Sequence, residues 1–574
     1  MCGIVGYRGE DDASRILFDG LKKLEYRGYD SAGIVTIGNP SLKMAKGKGT
    51  IDEVLEEDLD GKAGIGHTRW ATHGKVNDTN AHPHMDCEES IAVVHNGIIN
   101  NYEELKQELE GHEFRSETDT EVIPHLIEEE LEKTDDIEDV AKNVVRKLEG
   151  SYAVVAAFDT GEMIAFKDGS PLVLGEKDGE MFLASDVTPF LEHTDKAVFL
   201  EDGDLVVLDD EARIFNRGEP VEREPETIEW NTEQASKQGY DHFMEKEIKE
   251  QPTTVKRAAF QDRGDMENAV SMLEEAEKIY LTGCGTAGIA ASLGAKYLRE
   301  AGYSAEAELS HELEYRTNEI GEDDLVIAVS QSGETADLLS MLEDVDSSIL
   351  AVVNVVGSKL DRISEQSLYV NAGPEIGVAS TKAFTGQVAV LRLLGYSAQD
   401  RLDEGRKSLV DTADRISRSL KDNMDTLEYI SSYLAEQGHV YFIGRGRGHE
   451  IAEEASLKLK ELSYIHSEAF PGGEFKHGTL ALVEEGTPVV GILKDEGYED
   501  MLSNIAEAKS RGADIIGIGS EKIDGFKHFI EIPEDENSDI LEVVPFQMIA
   551  YMTSVKKGNN PDKPRNLAKS VTVK

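Results

Sequence analysis

The second half of the chain contains the same strand-and-loop pattern twice. Lys278–Gly285 is an apolar run that ends in a glycine loop, and His439–Gly446 has the same form. Two further apolar runs recur in the same order: 325–329 recurs at 488–492, and 349–353 recurs at 514–518. The offsets of the three pairs lie between 161 and 165 residues. Short apolar runs that alternate with helical segments are typical of parallel sheets. The repeat therefore predicts two copies of one parallel α/β domain.

The 574 residues exceed the ~250–300 that one hydrophobic core supports, so we expect three or four domains. The first ~220 residues are rich in short strand-like runs, among them 91–95 and 151–158, with a helical segment at 102–109. Residues 217–242 carry proline and charge with little apolar periodicity, which is typical of a linker. We predict the following divisions: a first domain at 2–220, a linker at 221–242, α/β copies at 243–410 and 411–558, and a tail at 559–574.

The chain is strongly acidic, with 59 Lys and Arg against 113 Asp and Glu and a formal net charge of -54. This excludes nucleic acid as the main partner, because neutralising phosphates needs a basic face. We interpret the acidity as a halophilic-type surface adapted to a salty cytoplasm. No apolar run reaches the ~18 residues of a membrane span, and no secretion signal precedes the domains. Three cysteines cannot form a disulfide framework, so we expect a cytoplasmic protein.

Polar residues near the N-terminus form a candidate catalytic set. Cys2 follows the initiator Met, whose removal exposes a thiol beside a free α-amino group that can carry its proton. Arg69 can clamp a carboxylate, and Asp119 can pair with an ammonium group. Asn96 and Gly97 follow a strand and can form an oxyanion hole. Together these groups predict acyl transfer from an amino-acid substrate.

Plainer interpretations of the same segment remain open. Asp119 also fits a helix N-cap, and Trp70 fits a core aromatic. His82 and His84 lack a third ligand at a suitable spacing, and the chain has no Cys-x-x-Cys pair. We therefore predict no metal site and no cofactor.

The segment Ser330–Thr335 predicts a phosphate site. It follows an apolar strand and opens a helix, where hydroxyls and backbone N–H groups meet the positive end of the helix dipole. A hydroxyl-rich helix cap is the alternative. Gly283–Gly288 matches a dinucleotide-binding pattern, with Glu308 20 residues further on. The second copy does not keep this spacing, so we interpret both loops as close-approach turns rather than as an NAD site.

The second copy carries candidate acid–base residues. Glu454, Lys458 and Glu461 are spaced i, i+4, i+7 and share one helix face. A solvated salt-bridge stripe is the alternative to a site. His477 lies in a following loop, and Lys569 in the tail can condense with a carbonyl. A carboxylate, an imidazole and a lysine near a sugar phosphate are suited to aldose–ketose chemistry, and the two copies with the tail would then build one composite site.

The first part of the chain resembles the class-II glutamine amidotransferases. The resemblance rests on five motifs: Cys2–Gly6, Leu24–Gly33, His67–Gly74, His95–Gly97 and Ser116–Glu121. It implies an αββα sandwich of the N-terminal-nucleophile hydrolase type. By it, Cys2 is the nucleophile, and the glutamine site comprises the following residues: Arg69, Trp70, Thr72, His73, Asn96, Gly97 and Asp119.

From end to end, the chain is similar to the family of isomerizing glutamine–fructose-6-phosphate aminotransferases. The further motifs are Ser330–Thr335, Gly377–Lys382, Leu457–His466 and Asn566–Val573. The resemblance implies two flavodoxin-like sugar-isomerase (SIS) domains and transfer of the amide nitrogen of L-glutamine to D-fructose 6-phosphate. The products would be D-glucosamine 6-phosphate and L-glutamate. It also implies internal passage of ammonia, gated by Trp70, in a homodimer.

The same resemblance implies roles in the sugar site. Glu461 would move a proton between C1 and C2 with help from Lys458, Lys569 would form the imine, and His477, from the neighbouring subunit, would open the ring. The implied sugar-phosphate ligands are Thr286, Ser330, Gln331, Ser332, Thr335, Val378 and Ser380.

Two residues depart from the family pattern, and two other functions stay open. Ala287 stands where the family has a phosphate-contacting serine, which predicts weaker sugar-phosphate binding. Thr479 replaces a proline, which leaves that loop less constrained. The alternatives are a sugar-phosphate-sensing SIS regulator, which would not need Cys2, Glu461 or Lys569, and an enzyme that aminates or deaminates a related sugar phosphate.

Overall fold

The computed structural model describes residues 2–25, 28, 30–38, 41–55, 59–69, 75–228, 237–494 and 496–571. The chain divides into two compact units: Met1–Ala235 with Ser570–Lys574, and Ser236–Lys569. Within the described ranges, none of the helices combines the length and the apolar character that crossing a membrane requires.

The first unit is mostly β-structure. Its described strands are β1 Gly3–Arg8, β2 Ser31–Ile37, β3 Leu42–Lys48, β4 Ala63–Arg69, β5 His84–Met85, β6 Ile91–Ile99, β7 Gly150–Phe158, β8 Met163–Asp168, β9 Val173–Lys177, β10 Glu180–Ala184, β11 Lys196–Phe199, β12 Asp204–Leu208, β13 Ala212–Asn216, β14 Glu219–Pro220 and β15 Glu226–Thr227. Its described helices are α1 Ala13–Leu24, α2 Ile51–Val54, α3 Tyr102–Glu108, α4 Val122–Leu131 and α5 Ile137–Val145.

Two sheets stack in this unit, with helices on their outer faces. The described strands form one sheet in the order β15-β11-β9-β10-β1-β4-β2-β3 and another in the order β14-β13-β12-β8-β7-β6-β5. Along β7, Tyr152 and Val154 pack with α3, α4 and α5, whereas Ala153 and Val155 pack against the other sheet. Successive strand residues face opposite sides, so a strand covered on both sides must be apolar throughout. This explains the continuous apolar run and confirms the predicted αββα fold.

The second unit contains the repeat. Its described strands are β16 Ile279–Gly283, β17 Ala305–Leu309, β18 Leu325–Ser330, β19 Ser348–Val353, β20 Gln366–Tyr369, β21 His439–Gly444, β22 His466–Pro471, β23 Pro488–Ile492, β24 Asp514–Gly519 and β25 His528–Glu531. Its described helices are α6 Phe243–Ala259, α7 Arg263–Glu275, α8 Thr286–Glu300, α9 Ser310–Leu313, α10 Ala336–Glu343, α11 Lys359–Ile363, α12 Lys382–Ser397, α13 Leu402–Ala435, α14 Arg447–Ser463, α15 Tyr498–Lys509 and α16 Ser538–Lys556.

The two copies have the same topology. Their parallel sheets run β17-β16-β18-β19-β20 and β22-β21-β23-β24-β25. The glycines before α8 and α14 match closely: Gly285 has φ 55° and ψ -127°, and Gly446 has φ 52° and ψ -128°. The predicted pair of flavodoxin-like α/β domains is confirmed. In each sheet the first strand along the chain, β16 or β21, lies between the second and the third, so the strand order reverses beside it. Ligands are therefore expected at the carboxyl ends of β16 and β18, and of β21 and β23.

Two predicted boundaries cross regular structure. The single helix α13 continues through the division at 410/411, so it connects the copies. Within the predicted linker, β15 pairs with β11 in the first unit. The domain limits therefore remain predictions.

Residues 559–569 of the C-terminal tail pack within the second unit rather than fraying. Both carboxylate oxygens of Asp562 accept backbone N–H groups at the start of α6, from Phe243 and Met244, at 2.9 Å each. The Asp562 carbonyl accepts the N–H of Val378 at 3.2 Å. Asn559 donates its side-chain amide to the Leu462 carbonyl at 3.0 Å. The tail thereby satisfies helix-end groups that would otherwise lack partners.

We predict that Asp562→Ala lowers the free energy of unfolding of the second unit by about 2 kcal/mol, because it leaves two N–H groups at the start of α6 unsatisfied. Asp562→Asn keeps one acceptor oxygen and should lose less. Urea titration monitored by circular dichroism measures the difference. An alanine variant as stable as the unsubstituted chain would contradict the prediction.

Candidate active sites

Cys2 and Arg69 lie on neighbouring strands of the first unit. Cys2 directly precedes β1 and Arg69 ends β4, and these antiparallel strands pair Gly3 with Thr68, so the register continues from Cys2 to Arg69. Arg69 is buried, and burial lowers the pKa of its guanidinium, whereas nearby Cys2 and Asp119 act in the opposite direction. A buried cation beside a thiol can hold an anionic substrate group at the nucleophile.

The candidate oxyanion hole comes from the other sheet. The Asn96 side-chain amide donates to the Cys2 carbonyl at 3.0 Å. Gly97 has φ +122°, and a Cβ there would lie 1.9 Å from the Ser151 carbonyl oxygen, so only glycine fits. Asn96 and Gly97 are consecutive residues near the end of β6, so the two candidate oxyanion donors belong to one short segment.

A buried histidine that the sequence analysis did not assign holds this amide in place. His67 Nε2 lies 3.1 Å from Asn96 Oδ1 and 3.0 Å from the His95 carbonyl oxygen. Both partners are acceptors, so Nε2 carries the hydrogen. Burial lowers the pKa of His67 to about 3, which keeps the imidazole neutral. His67 lies in the His67–Gly74 motif, and this motif was the available sequence signal for its role.

Asp119 is not a helix N-cap. The N-cap position of α4 is Glu121, and Asp119 Oδ2 instead accepts the Ile99 N–H at 2.8 Å. Asp119 is buried and acts electrostatically on Arg69. The plainer interpretation of Asp119 is therefore wrong. The other predicted glutamine-site residues, Trp70, Thr72 and His73, lie outside the described residues.

The predicted phosphate loop connects β18 to α10. The Gly333 N–H donates to Ser330 Oγ at 2.9 Å, and the Glu334 N–H donates to Ser332 Oγ at 3.2 Å. Gly333 has φ +69°, and a Cβ would lie 2.0 Å from Ser358 Oγ. Thr335 is the N-cap residue of α10 but caps no N–H of it among the described residues. The segment is therefore a tight hydroxyl-lined turn rather than an ordinary cap, with Gln331 half-buried within it.

The glycine pattern Gly283–Gly288 is a close-approach turn. A Cβ on Gly283 would lie 2.9 Å from the Val329 carbonyl oxygen, and one on Gly288 would lie 2.5 Å from Leu309 Cδ2. These glycines are explained by packing of α8 against its own sheet.

A carboxylate of the second copy meets a hydroxyl of the first. Thr286 Oγ1 donates to Glu454 Oε2 at 3.1 Å. Lys458 Nζ lies 2.6 Å from Glu461 Oε2 and 3.6 Å from Glu454 Oε1. Burial raises the pKa of Glu454 to about 8 and is opposed by Lys458. Glu454 and Lys458 are buried, so the predicted shared face is internal and not a solvated stripe.

Lys569 is fixed by a carboxylate that the sequence analysis missed. Its Nζ forms an ion pair with Glu375 and donates to the Gly377 carbonyl at 2.8 Å. Glu375 also accepts from Ser380 Oγ at 3.1 Å and from the Thr381 N–H at 2.9 Å. Burial acts to raise the Glu375 pKa, but Lys569 and the backbone N–H groups of Ala383 and Thr381 hold it below the usual value. Glu375 lies two residues before the Gly377–Lys382 motif, which was the only signal for it.

Of the remaining predicted residues, Val378 is buried and His477 is exposed. Val378 is buried in the loop that binds the tail through Asp562. His477 is exposed on a short 3₁₀ helix, Phe475–His477. Among the described residues, its side chain makes no hydrogen bond or ion pair with Glu461, Lys458 or Lys569. The structure thus does not bring His477 into this chain's own site.

The fold and these two sites define a glutamine amidotransferase joined to a pair of sugar-isomerase domains. The glutamine amidotransferase domain model matches residues 67–192, and the SIS domain model matches 272–396 and 433–557. The chain is 44% identical to the glutamine–fructose-6-phosphate aminotransferase [isomerizing] of Thermococcus kodakarensis and 43% identical to that of Methanothermobacter thermautotrophicus, each covering 100% of both chains. The chain therefore belongs to the family of isomerizing glutamine–fructose-6-phosphate aminotransferases.

Solved structures agree with this membership. The C-terminal domain of glucosamine-fructose-6-phosphate aminotransferase from Francisella tularensis is 32% identical, with a TM-score of 0.54, and the match covers 57% of this chain and 99% of that one. Tagatose-6-phosphate ketose/aldose isomerase from Escherichia coli is 22% identical, with a TM-score of 0.50, and covers 56% of this chain and 96% of its own. This second likeness shows the fold alone.

We predict that Glu454→Gln flattens part of the pH dependence of stability. The native pKa of about 8 exceeds the ordinary 4.5, so between these values the native state holds a proton that the unfolded state has lost. Stability must then fall as pH rises through this window, and the substitution removes that fall while keeping an oxygen for Thr286. Urea titrations at several pH values test this. Parallel profiles for the two proteins would contradict it.

Proposed function

We propose that this chain transfers the amide nitrogen of L-glutamine to D-fructose 6-phosphate and isomerises the product to D-glucosamine 6-phosphate, releasing L-glutamate. The observation that carries the proposal is the buried Lys569 amine, held by Glu375 in the loop that bears Ser380. A coupled assay with glutamine or fructose 6-phosphate omitted in turn tests it. Amino-sugar formation should require both substrates.

In the first unit, the Cys2 thiolate would attack the glutamine amide carbonyl. The developing oxyanion would accept hydrogen bonds from Gly97 N–H and from the Asn96 amide hydrogen that does not bind the Cys2 carbonyl. The α-amino group would take the thiol proton and return it to the departing ammonia. Water would then hydrolyse the thioester to glutamate. Arg69 and Asp119 would hold the substrate carboxylate and ammonium, and Trp70, Thr72 and His73 would line the pocket.

In the second unit, Ser330, Gln331, Ser332 and Thr335 would bind the phosphate, and Thr286, Val378 and Ser380 would contact the sugar. The position of the phosphate loop and Thr286 at the carboxyl ends of adjacent strands β18 and β16 supports this placement.

The chemical steps on the sugar would use the buried polar groups. Lys569, once deprotonated, would form an imine with C2 of the open-chain ketose and release water. Ammonia would then attack C2 and displace the Lys569 amine. Glu461 would transfer a proton between C1 and C2, with Lys458, 2.6 Å from its carboxylate, stabilising the charged form. We also propose that ammonia passes internally between the sites, with Trp70 as the gate.

We further propose a cytoplasmic homodimer in which His477 opens the sugar ring in the neighbouring chain's site. Its exposed position, apart from this chain's Glu461 and Lys569, supports that assignment. The net charge of -54 supports a salty cytoplasm, since ~1 M salt shortens the screening length to about 3 Å. A melting temperature and an activity that do not rise with added KCl would contradict the salt adaptation.

We predict that Cys2→Ala abolishes glutamine-dependent synthesis, because the nucleophile is lost. The same protein should still isomerise fructose 6-phosphate, since the second unit keeps all its groups. Glutamate release and sugar-phosphate isomerisation, measured on one preparation, separate the two effects. Loss of both activities in a folded protein would contradict the two-site scheme.

We predict that Lys569→Ala lowers synthesis by at least about 10³-fold, because the imine cannot form, while glutamine hydrolysis persists. Lys557→Ala removes an exposed lysine that follows α16 and serves as the matched control. Normal amination by Lys569→Ala would refute the imine role. A regulator that only senses sugar phosphate would show no turnover, with or without the substitution. Assays with a panel of ketose phosphates would identify an enzyme that acts on a related sugar phosphate instead of fructose 6-phosphate.

A further inference from the structure

Four side chains in the first unit converge at a place that the glutamine site does not use. They are Cys87, His112, His125 and Glu128, whose ligand atoms all lie within 4.8 Å of one another. We propose that these four residues bind one Zn²⁺ ion. The sequence analysis predicted no metal site, and this proposal departs from that expectation.

The distances between the candidate ligand atoms suit a tetrahedral zinc site. Cys87 Sγ lies 3.6 Å from His112 Nδ1 and 3.7 Å from His125 Nδ1. Glu128 Oε2 lies 3.0 Å from His112 Nδ1 and 3.2 Å from His125 Nδ1. Tetrahedral bonds of about 2.3 Å to sulfur and about 2.0 Å to nitrogen and oxygen require separations of about 3.5 Å and about 3.3 Å. These four separations are therefore within about 0.3 Å of those that the ion requires.

Regular structure holds the group together. His125 and Glu128 are one turn apart on α4 and share a face. Cys87 lies in the turn between β5 and β6, and His112 lies between α3 and α4. The Cys87 N–H also approaches Glu128 Oε2 at 3.4 Å. Three separate segments thus supply ligands to one point, which short-range sequence spacing does not reveal.

The charge and donor type favour zinc. A thiolate and a carboxylate neutralise the two positive charges, and two neutral imidazoles complete the four ligands. Binding requires that the Cys87 thiol releases its proton to solvent. Sulfur and nitrogen ligands select zinc over magnesium or calcium. On the outer side of His112, Glu129 Oε1 lies 3.8 Å from Nε2, the position where a second carboxylate orients a metal-binding histidine.

The ion would stabilise the segment that carries Asp119, which is proposed to bind the substrate glutamine. Asp119 lies between His112 and His125 in the chain, and its carboxylate is fixed by the Ile99 N–H. Cross-linking both ends of this segment to the Cys87 turn would restrict its motion. All four ligand positions are filled by protein, so the site is of the closed, structural kind.

A hydrogen-bonded cluster without metal is the competing explanation, because Glu128 Oε2 can accept from both imidazoles. Metal analysis of the full-length protein, stripped with a chelator and reloaded with Zn²⁺, separates the two. We expect one zinc ion per chain and a higher melting temperature in the loaded protein. Co²⁺ in place of zinc should give a thiolate charge-transfer band and the visible bands of tetrahedral cobalt.

Variants complete the test. Cys87→Ser should lose the zinc, the cobalt bands and the thermal shift, and it should still fold because Cys87 is exposed. Cys284→Ser removes a cysteine of the second unit and should retain all three. Absence of stoichiometric zinc in the unsubstituted protein, or equal zinc binding by Cys87→Ser, would overturn the proposal.

Discussion

The buried ion pair between Glu375 and Lys569 is the contact on which the second unit's site depends. Removing either partner would leave an uncompensated buried charge, a loss of about 3–5 kcal/mol. The same carboxylate accepts hydrogen bonds from Ser380 Oγ and from backbone N–H groups of Thr381 and Ala383 at the start of α12. One residue therefore positions the Lys569 amine, the Ser380 hydroxyl and the start of α12 together. The tail up to Lys569 is thus an integral part of this unit.

The two copies of the repeated domain share a backbone but differ in side chains, as the proposed composite site requires. Gly285 and Gly446 adopt the same conformation, yet Thr286 follows the first and Arg447 the second. The first copy supplies the phosphate loop and Thr286, and the second supplies Glu454, which Thr286 contacts across the pair. The shared backbone gives both copies the same loop geometry, and the different residues after the glycines allow the two loops to take different roles.

Local sequence patterns predicted the strands, the helices and the glycine loops. Parts of the candidate sites were not predicted, because they depend on contacts between residues that are distant in the sequence. The apolar run along β7 and the paired glycine loops are properties of neighbouring residues, so the fold class followed from them. His67, Glu375 and the group around Cys87 depend on contacts between distant segments, and their residue types are ordinary. Asp119 was ambiguous because a cap and a ligand use the same carboxylate, and its bond to Ile99 N–H, with Glu121 at the N-cap of α4, excludes the cap.

The transfer of nitrogen from the first unit to the second is tested most directly by isotope labelling. The protein is supplied with glutamine labelled with ¹⁵N at the amide and with fructose 6-phosphate, in the presence of excess unlabelled ammonium, and the amino sugar is analysed by mass spectrometry. Internal transfer predicts that nearly all of the product carries ¹⁵N. Product nitrogen that matches the unlabelled ammonium pool would contradict it.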